Sequence, residues 1–333
     1  MNQQLIEKWR EIFFYTFQIA NFNPWERFSD TDIFALVPKG TREEHLFSFL
    51  SDSCGKLGIA IYRDTNSYFQ ARSRLRGPNP KKEPVFLLQN ATIFLLGNRE
   101  DVSKENYALL KALDFKCRGR GNWPYFEDYR IGYAPRPVDE DTLDVLLDDM
   151  GNLFMMIRAI YETPQDYPLP DKSAWIRTYS SKDEMYYTFP ASLPIPKQAP
   201  YTMITMQNNE WLKQLRKAPA KGTISLDWAY LPTILNDGPH RIVPRLMMAI
   251  DPASGIILKH ALLSPVDNAF DLLFAFISDL VDLRGKPSII EICDHELEGC
   301  LSDLCQKAGV KLTIRKRLPQ LSQARNMLIK DLL

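Results

Sequence analysis

Cysteine is scarce in this chain. There are five in 333 residues, Cys54, Cys117, Cys293, Cys300 and Cys305, and none forms a Cys-x-x-Cys pair. An odd count without paired spacing excludes a disulfide framework and reads as a reduced protein with buried thiols. Net charge is missing too: Lys+Arg and Asp+Glu balance at 41 each. That balance argues against a protein that coats nucleic acid or anionic membrane, and leaves room only for a local basic patch. No window approaches the ~18 apolar residues of a membrane span. The first residues mix charged and apolar types, unlike a signal peptide. Both absences point to a cytoplasmic location. Several catalytic signatures are lacking as well: the Gly-x-x-x-x-Gly-Lys phosphate loop, the Gly-x-Gly-x-x-Gly turn, His-Glu-x-x-His and Gly-x-Ser-x-Gly. His45, His240, His260 and His295 have no sequence neighbours that complete a triad.

What is present is ordinary globular material, with 45% hydrophobic and 25% charged residues. A chain of this length supports two domains, each with a core that needs no metal or disulfide. Cys293, Cys300 and Cys305 with His295 fit no usual zinc spacing. Cys300 and Cys305 fall on a helix that needs apolar residues, so the expectation for them is packing.

Leu5, Ile6, Trp9, Ile12, Phe13 and Phe17 recur at helical spacing and predict an amphipathic helix over 2–20. Short strands are expected at 32–37, 45–50 and 57–62, then a helix to Leu75 and a strand region over 85–96. Helices follow at 103–113 and 139–161. Together they predict an α+β N-terminal domain over 1–162. Prolines at 164, 168, 170, 190, 194, 196 and 200 predict a connecting arm over 163–205. Its aromatics Tyr167, Trp175, Tyr186, Tyr187 and Phe189 predict that it wraps on the surface rather than swinging free, with strand candidates at 175–179 and 186–189.

Residues 206–333 read as an α/β domain. A strand at 223–230 is followed by the Asp237-Gly238 hairpin signal and a returning strand at 242–250. A Pro-Ala-Ser-Gly turn leads to a strand at 256–263. Then come a helix capped by Asp267, an apolar strand at 288–293, a helix at 295–308, a strand at 310–314 and a last helix from 320. This order predicts a mixed five-stranded sheet with helices against it. It is the order of the ribonuclease H-like fold, and the local wording resembles its integrase and transposase branch. The residues that carry the resemblance are Leu226-Asp227-Trp228, the run Met247 to Gly255, and Ile292-Cys293-Asp294. The resemblance implies a two-metal centre, with Asp227 and Asp294 as carboxylate ligands of Mg or Mn on adjacent parallel strands. The third carboxylate of such a centre belongs on the last helix. There only Asp331 is acidic, beside the opposing charges of Arg325 and Lys330. The plainer reading makes Asp294 the cap of the helix that starts at His295.

The whole chain also resembles a bacterial two-domain family of unknown function. Pro24-Trp25, Asp32-Ile33-Phe34, the strand at 57–62, and the segment from Arg118-Gly119-Arg120 through Trp123-Pro124-Tyr125 to Gly132-Tyr133 carry that resemblance, which implies no activity. Residues 116–137 stand out on their own. They interleave Lys116, Arg118, Arg120, Arg130 and Arg136 with Trp123, Tyr125, Phe126, Tyr129 and Tyr133. Arginines among aromatics suit a phosphorylated ligand or a single-stranded nucleic acid. They equally suit a long loop fixed to the core by its rings. The expectation is a non-catalytic protein that binds a small ligand or a protein partner through Arg118, Arg120, Trp123, Tyr129 and Tyr133, with no cofactor. The alternative is a divalent-metal-dependent nuclease or strand-transfer enzyme using Asp227 and Asp294.

Overall fold

The computed structural model describes residues 3–41, 43–51, 57–76, 83–163, 173–192, 201, 203–238 and 240–332. The chain folds into two units. The first holds Met1–Arg130 and Pro135–Pro196, and the second holds Ile131–Ala134 and Lys197–Leu333. Most of the proline-rich junction, residues 164–172 and 193–200, lies outside the described residues.

The first unit contains α1 (Gln3–Ala20), α2 (Pro24–Arg27), β1 (Ile33–Val37), β2 (His45–Ser51), β3 (Leu57–Tyr62), α3 (Thr65–Arg76), β4 (Ala91–Gly97), α4 (Lys104–Ala112), β5 (Trp123–Tyr129), α5 (Leu143–Glu162), β6 (Ser173–Ser180) and β7 (Met185–Ser192). Its seven strands lie in the order β5-β4-β3-β2-β1-β6-β7. Only β1 and β6 are parallel neighbours; the other pairs are antiparallel. The period of two in strand side chains makes two cores. Phe34, Leu36, Phe47, Phe49, Ile59, Ile61, Phe94 and Phe126 face α1 and α5. Ala35, Leu46, Ala60, Tyr62, Ala91 and Ile93 face Tyr68 and Ala71 of α3.

Two expectations needed correction here. The strand region over 85–96 is a single 3-10 turn, Val85–Leu87, followed by β4. An apolar run does not by itself distinguish a turn buried against a sheet from a strand. The 116–137 segment is not one loop, because β5 occupies its middle and pairs with β4 from Gly97↔Trp123 to Ala91↔Tyr129. Pro124 hid it, yet a proline is tolerated where a strand lies at a sheet edge. Within the arm expected over 163–205, the strand candidates at 175–179 and 186–189 are β6 and β7, and β6 pairs with β1 through Phe34↔Trp175.

The second unit contains α6 (Asn209–Lys217), β8 (Thr223–Tyr230), β9 (Leu235–Asp237), β10 (His240–Ile242), β11 (Arg245–Ile250), β12 (Ile257–Leu263), α7 (Ala269–Arg284), β13 (Ile289–Ile292), α8 (His295–Ala308), β14 (Lys311–Ile314) and α9 (Pro319–Leu332). The main sheet runs β12-β11-β8-β13-β14, with β9 and β10 as a separate hairpin. β8 is antiparallel to β11 and parallel to β13. The single returning strand expected over 242–250 is split, because Pro244 lacks the N–H that would carry one ladder through. Ile131–Ala134 joins this unit beside β10: Ala134 N–H donates to the Arg241 carbonyl at 2.9 Å, and Val243 N–H to that of Gly132 at 2.8 Å.

One face of the main sheet, including Ile224, Leu226, Trp228, Met247, Ile290 and Ile292, packs under α6, α7 and α8. The other, with Leu246, Met248 and Ile250, packs under α9 through Leu321 and Ala324. The caps follow local chemistry. Asn268 rather than Asp267 caps α7, accepting from the N–H groups of Phe270 and Asp271, while Asp267 accepts from Ser264. Asp294 caps α8, and Gly309, with φ 68°, ends it in the left-handed region. Cys300 and Cys305 are buried in that helix. Among the described residues no helix is long and apolar enough to cross a membrane.

Candidate functional site

The first candidate lies where the chain enters β5. Gly119 and Gly121 have φ of 79° and 70°, so residues 118–122 turn tightly through conformations that favour glycine. The turn is pinned at three points. Trp123 Nε1 donates to the Gly119 carbonyl at 3.1 Å, Asn122 Nδ2 to the Arg118 carbonyl at 3.2 Å, and Gly121 N–H to Asn98 Oδ1 at 3.1 Å. Pinning the backbone leaves the side chains of Arg118 and Arg120 exposed. Beside them the Trp123 and Tyr107 rings lie 6.2 Å apart. The Arg99 guanidinium stands 3.9 Å from the Tyr107 centroid and 5.5 Å from that of Trp123, and Lys111 Nζ lies 4.6 Å from Tyr107. These are cation–π distances.

The five residues expected to bind do not all converge. Arg118, Arg120 and Trp123 share the start of β5. Tyr129 ends the same strand six residues on, or ~20 Å away at the usual strand rise. Its ring packs 6.3 Å from that of Phe86. Tyr133 belongs to the second unit, where it pairs with Ile242 and its ring meets His240 at 5.9 Å. Sequence reasoning missed Arg99, Tyr107 and Lys111: α4 brings the Tyr107 ring to Trp123, Arg99 stands over both rings and Lys111 over Tyr107. It also missed Glu127, whose carboxyl is pushed up to about 7 by burial and by Asp101. Alternation along β5 puts Glu127 on the same face as Tyr125 and Tyr129, the opposite face from Phe126.

The second candidate lies at the carboxyl ends of β8 and β13. Asp227 is 8% exposed and projects to the α9 side of the sheet. Arg325 Nη1 of α9 donates to its Oδ2 at 3.0 Å. Burial raises the Asp227 carboxyl to about 6; Arg325 works against that rise and Asp294 adds to it. Cys293, next to Asp227, has its thiol pushed up to about 12 by burial and by that carboxylate, which makes it a poor nucleophile at neutral pH. Asp294 is turned to other work. Its Oδ1 accepts from Glu296 N–H at 2.8 Å, and its Oδ2 accepts from Trp228 Nε1 at 2.9 Å. The Arg245 guanidinium then lies 4.9 Å from the Trp228 centroid and 4.5 Å from that of Tyr230, and pairs with Glu296 at 3.1 Å.

Asp227 thus sits on β8 and Asp294 just beyond the end of the neighbouring β13, with oxygens committed, one residue to a guanidinium and the other to a helix cap and an indole. Among the described residues no group of three His, Cys, Asp or Glu side chains is placed to hold a metal ion. Asp227 Oδ2 and both oxygens of Asp294, which a two-metal centre would use, already accept from Arg325, Trp228 and Glu296. The side chain of Asp331 lies outside the described residues.

Residues 9–177, just over half of the chain, match the model of a domain of unknown function (DUF7309). The chain belongs to that family. Residues 211–329 match a second domain of unknown function (DUF6930). No curated protein matches the chain. The DUF7309 match contains the Arg118–Trp123 turn with Arg99, Tyr107 and Lys111. The DUF6930 match contains Asp227, Asp294 and Arg325.

Proposed function

We propose that this is a non-catalytic binding protein, and that the turn from Arg118 to Trp123 takes an acidic or phosphorylated partner. One observation carries the reading: a glycine-shaped turn, fixed by three hydrogen bonds, holds two arginines outward beside two further cations stacked on Tyr107 and Trp123. Exposed guanidinium groups on a fixed backbone suit carboxylate and phosphate oxygens, because the loop entropy is already lost before binding. The test is binding of a phosphoserine peptide, with single-stranded DNA and a neutral peptide as comparisons. Charge reversal of Arg118 and Arg120 to Glu should weaken binding at least ~10-fold with the melting temperature unchanged, in line with ~1.4 kcal/mol or more for lost charge-assisted contacts. Unchanged affinity would remove the assignment. Preference for DNA would redirect it.

We read the second unit as a ribonuclease H-like sheet in which an arginine has taken the cation's place. The strand order β12-β11-β8-β13-β14, with β8 and β13 parallel, supports the fold. The Arg325–Asp227 pair supports the loss of the metal centre. Manganese titrated into the full chain should give no saturable heat. A saturable site abolished by Asp227→Asn would favour the nuclease or strand-transfer alternative.

A further inference from the structure

The helix α5 buries its apolar stripe of Leu146, Met150, Leu153 and Ile157, but two polar residues are buried with it, Asp149 and Asn152. Asn152 is fully engaged. Its Oδ1 accepts from Arg177 Nε at 2.9 Å, and its Nδ2 donates to the Asp148 side chain at 3.1 Å. Asp149 is half engaged. Its Oδ1 lies 2.6 Å from Nδ1 of His45, the first residue of β2, and its side chain is only 1% exposed. Its other oxygen, Oδ2, is buried without a hydrogen-bond partner, and so are Nε and Nη2 of Arg63.

The strand register brings these groups to one face of the sheet. Arg63 follows the last residue of β3, and the register Leu46↔Tyr62 sets it opposite His45. Residues opposite one another on antiparallel strands project to the same face within about 5 Å. Arg63 also counts among the charges that lower the Asp149 carboxyl, against a larger rise from burial.

The chemistry of the three atoms restricts what can join them. The carboxylate oxygen only accepts, and the guanidinium nitrogens only donate. An anion would satisfy Arg63 but set its own oxygens against Oδ2. A metal cation would suit Oδ2 but meet the guanidinium. A neutral hydroxylic molecule accepts from Arg63 with its lone pairs and donates its O–H to Asp149. With the Asp149 side chain 1% exposed, the molecule that suits this place is a small one, of about the size of water.

We propose that His45, Arg63 and Asp149 form a binding site for one neutral hydroxylic molecule of water size, bridging Arg63 Nε or Nη2 to Asp149 Oδ2. The guest ties the end of β3 to the middle of α5 and completes a polar band that runs on through Asp148, Asn152 and Arg177.

A high-resolution crystal structure of the full chain, with a parallel bromide soak, tests this. A single solvent peak within hydrogen-bond reach of both Oδ2 and the guanidinium, without anomalous signal, is expected. Bromide at that position, a guanidinium bonded directly to Oδ2, or no peak would each overturn it. In solution, oxygen-17 relaxation dispersion should show one fewer long-lived water in Arg63→Met than in the parent chain. An unchanged count in a folded variant would also overturn it.

Discussion

Asp227 is a buried acid with a cation on one side and a second acid on the other, and burial is the largest influence on it. Its folded-state value of about 6 lies above the ordinary 3.8. Below pH ~4 the group is protonated in both folded and unfolded chains. Between ~4 and ~6 the folded chain retains a proton that the unfolded chain has released, so this group's contribution to stability falls as pH rises. The unfolding free energy of the parent should therefore fall by about 2 kcal/mol relative to that of Asp227→Asn from pH 4 to pH 7. Urea titrations at both ends of that window measure it. A rise in that relative stability with pH would mean that Arg325, rather than burial, controls the carboxyl.

At the scale of elements, α8 shows how a residue that resembles a catalytic ligand can be committed to structure. Asp294 accepts from Glu296 N–H at the first turn and from the Trp228 indole of β8, joining helix start to sheet. Asp294→Ala should cost about 1–2 kcal/mol for the cap, with more from the stranded indole N–H. Asp294→Asn keeps an acceptor at the cap and should lie within about 0.5 kcal/mol of the parent. The urea midpoint reads both. A large loss in the Asn variant would show that the charge, and not the cap, is what the position requires. Elements with strong local signals were readable in advance: α1 from its periodicity, α8 from Asp294 and Gly309, and β13 from its apolar run. β5 and the β10–β11 break were obscured by Pro124 and Pro244. The effect of a proline on a strand depends on which neighbour pairs with it.

On the scale of the molecule, each unit has its own cores, yet the boundary is not a single cut in the chain. Ile131–Ala134 crosses from the first unit's sequence to lie against β10 of the second. Gly132 makes the passage with φ 84°, and a Cβ there would stand 2.6 Å from Pro265 Cγ. A fragment of residues 197–333 would keep both cores of the main sheet but lose the segment whose Gly132 carbonyl accepts the Val243 N–H. In that fragment the Val243 amide should exchange with solvent at least ~10-fold faster than in the full chain, while the β8 and β11 amides stay protected. Equal protection of Val243 would show that the crossing segment is dispensable to the hairpin.

The sequence by itself determined the α/β class, two units, and nearly the whole order of the second. These rest on patterns with periods of two and 3.6 and on caps that act within four residues. It also brought Arg118, Arg120, Trp123, Asp227 and Asp294 forward as the residues to weigh. Only the tertiary structure decided what stands beside them. Arg99 stands over the Trp123 and Tyr107 rings and Lys111 over Tyr107, Arg325 meets Asp227 from a helix 98 positions later in the chain, and His45 meets Asp149 across 104 positions. Pairings at that separation come from how strands order and helices cross, which no local pattern encodes. Tertiary packing likewise divided the five aromatic and arginine candidates, because one strand carried Trp123 and Tyr129 to opposite ends and the chain then left for the other unit.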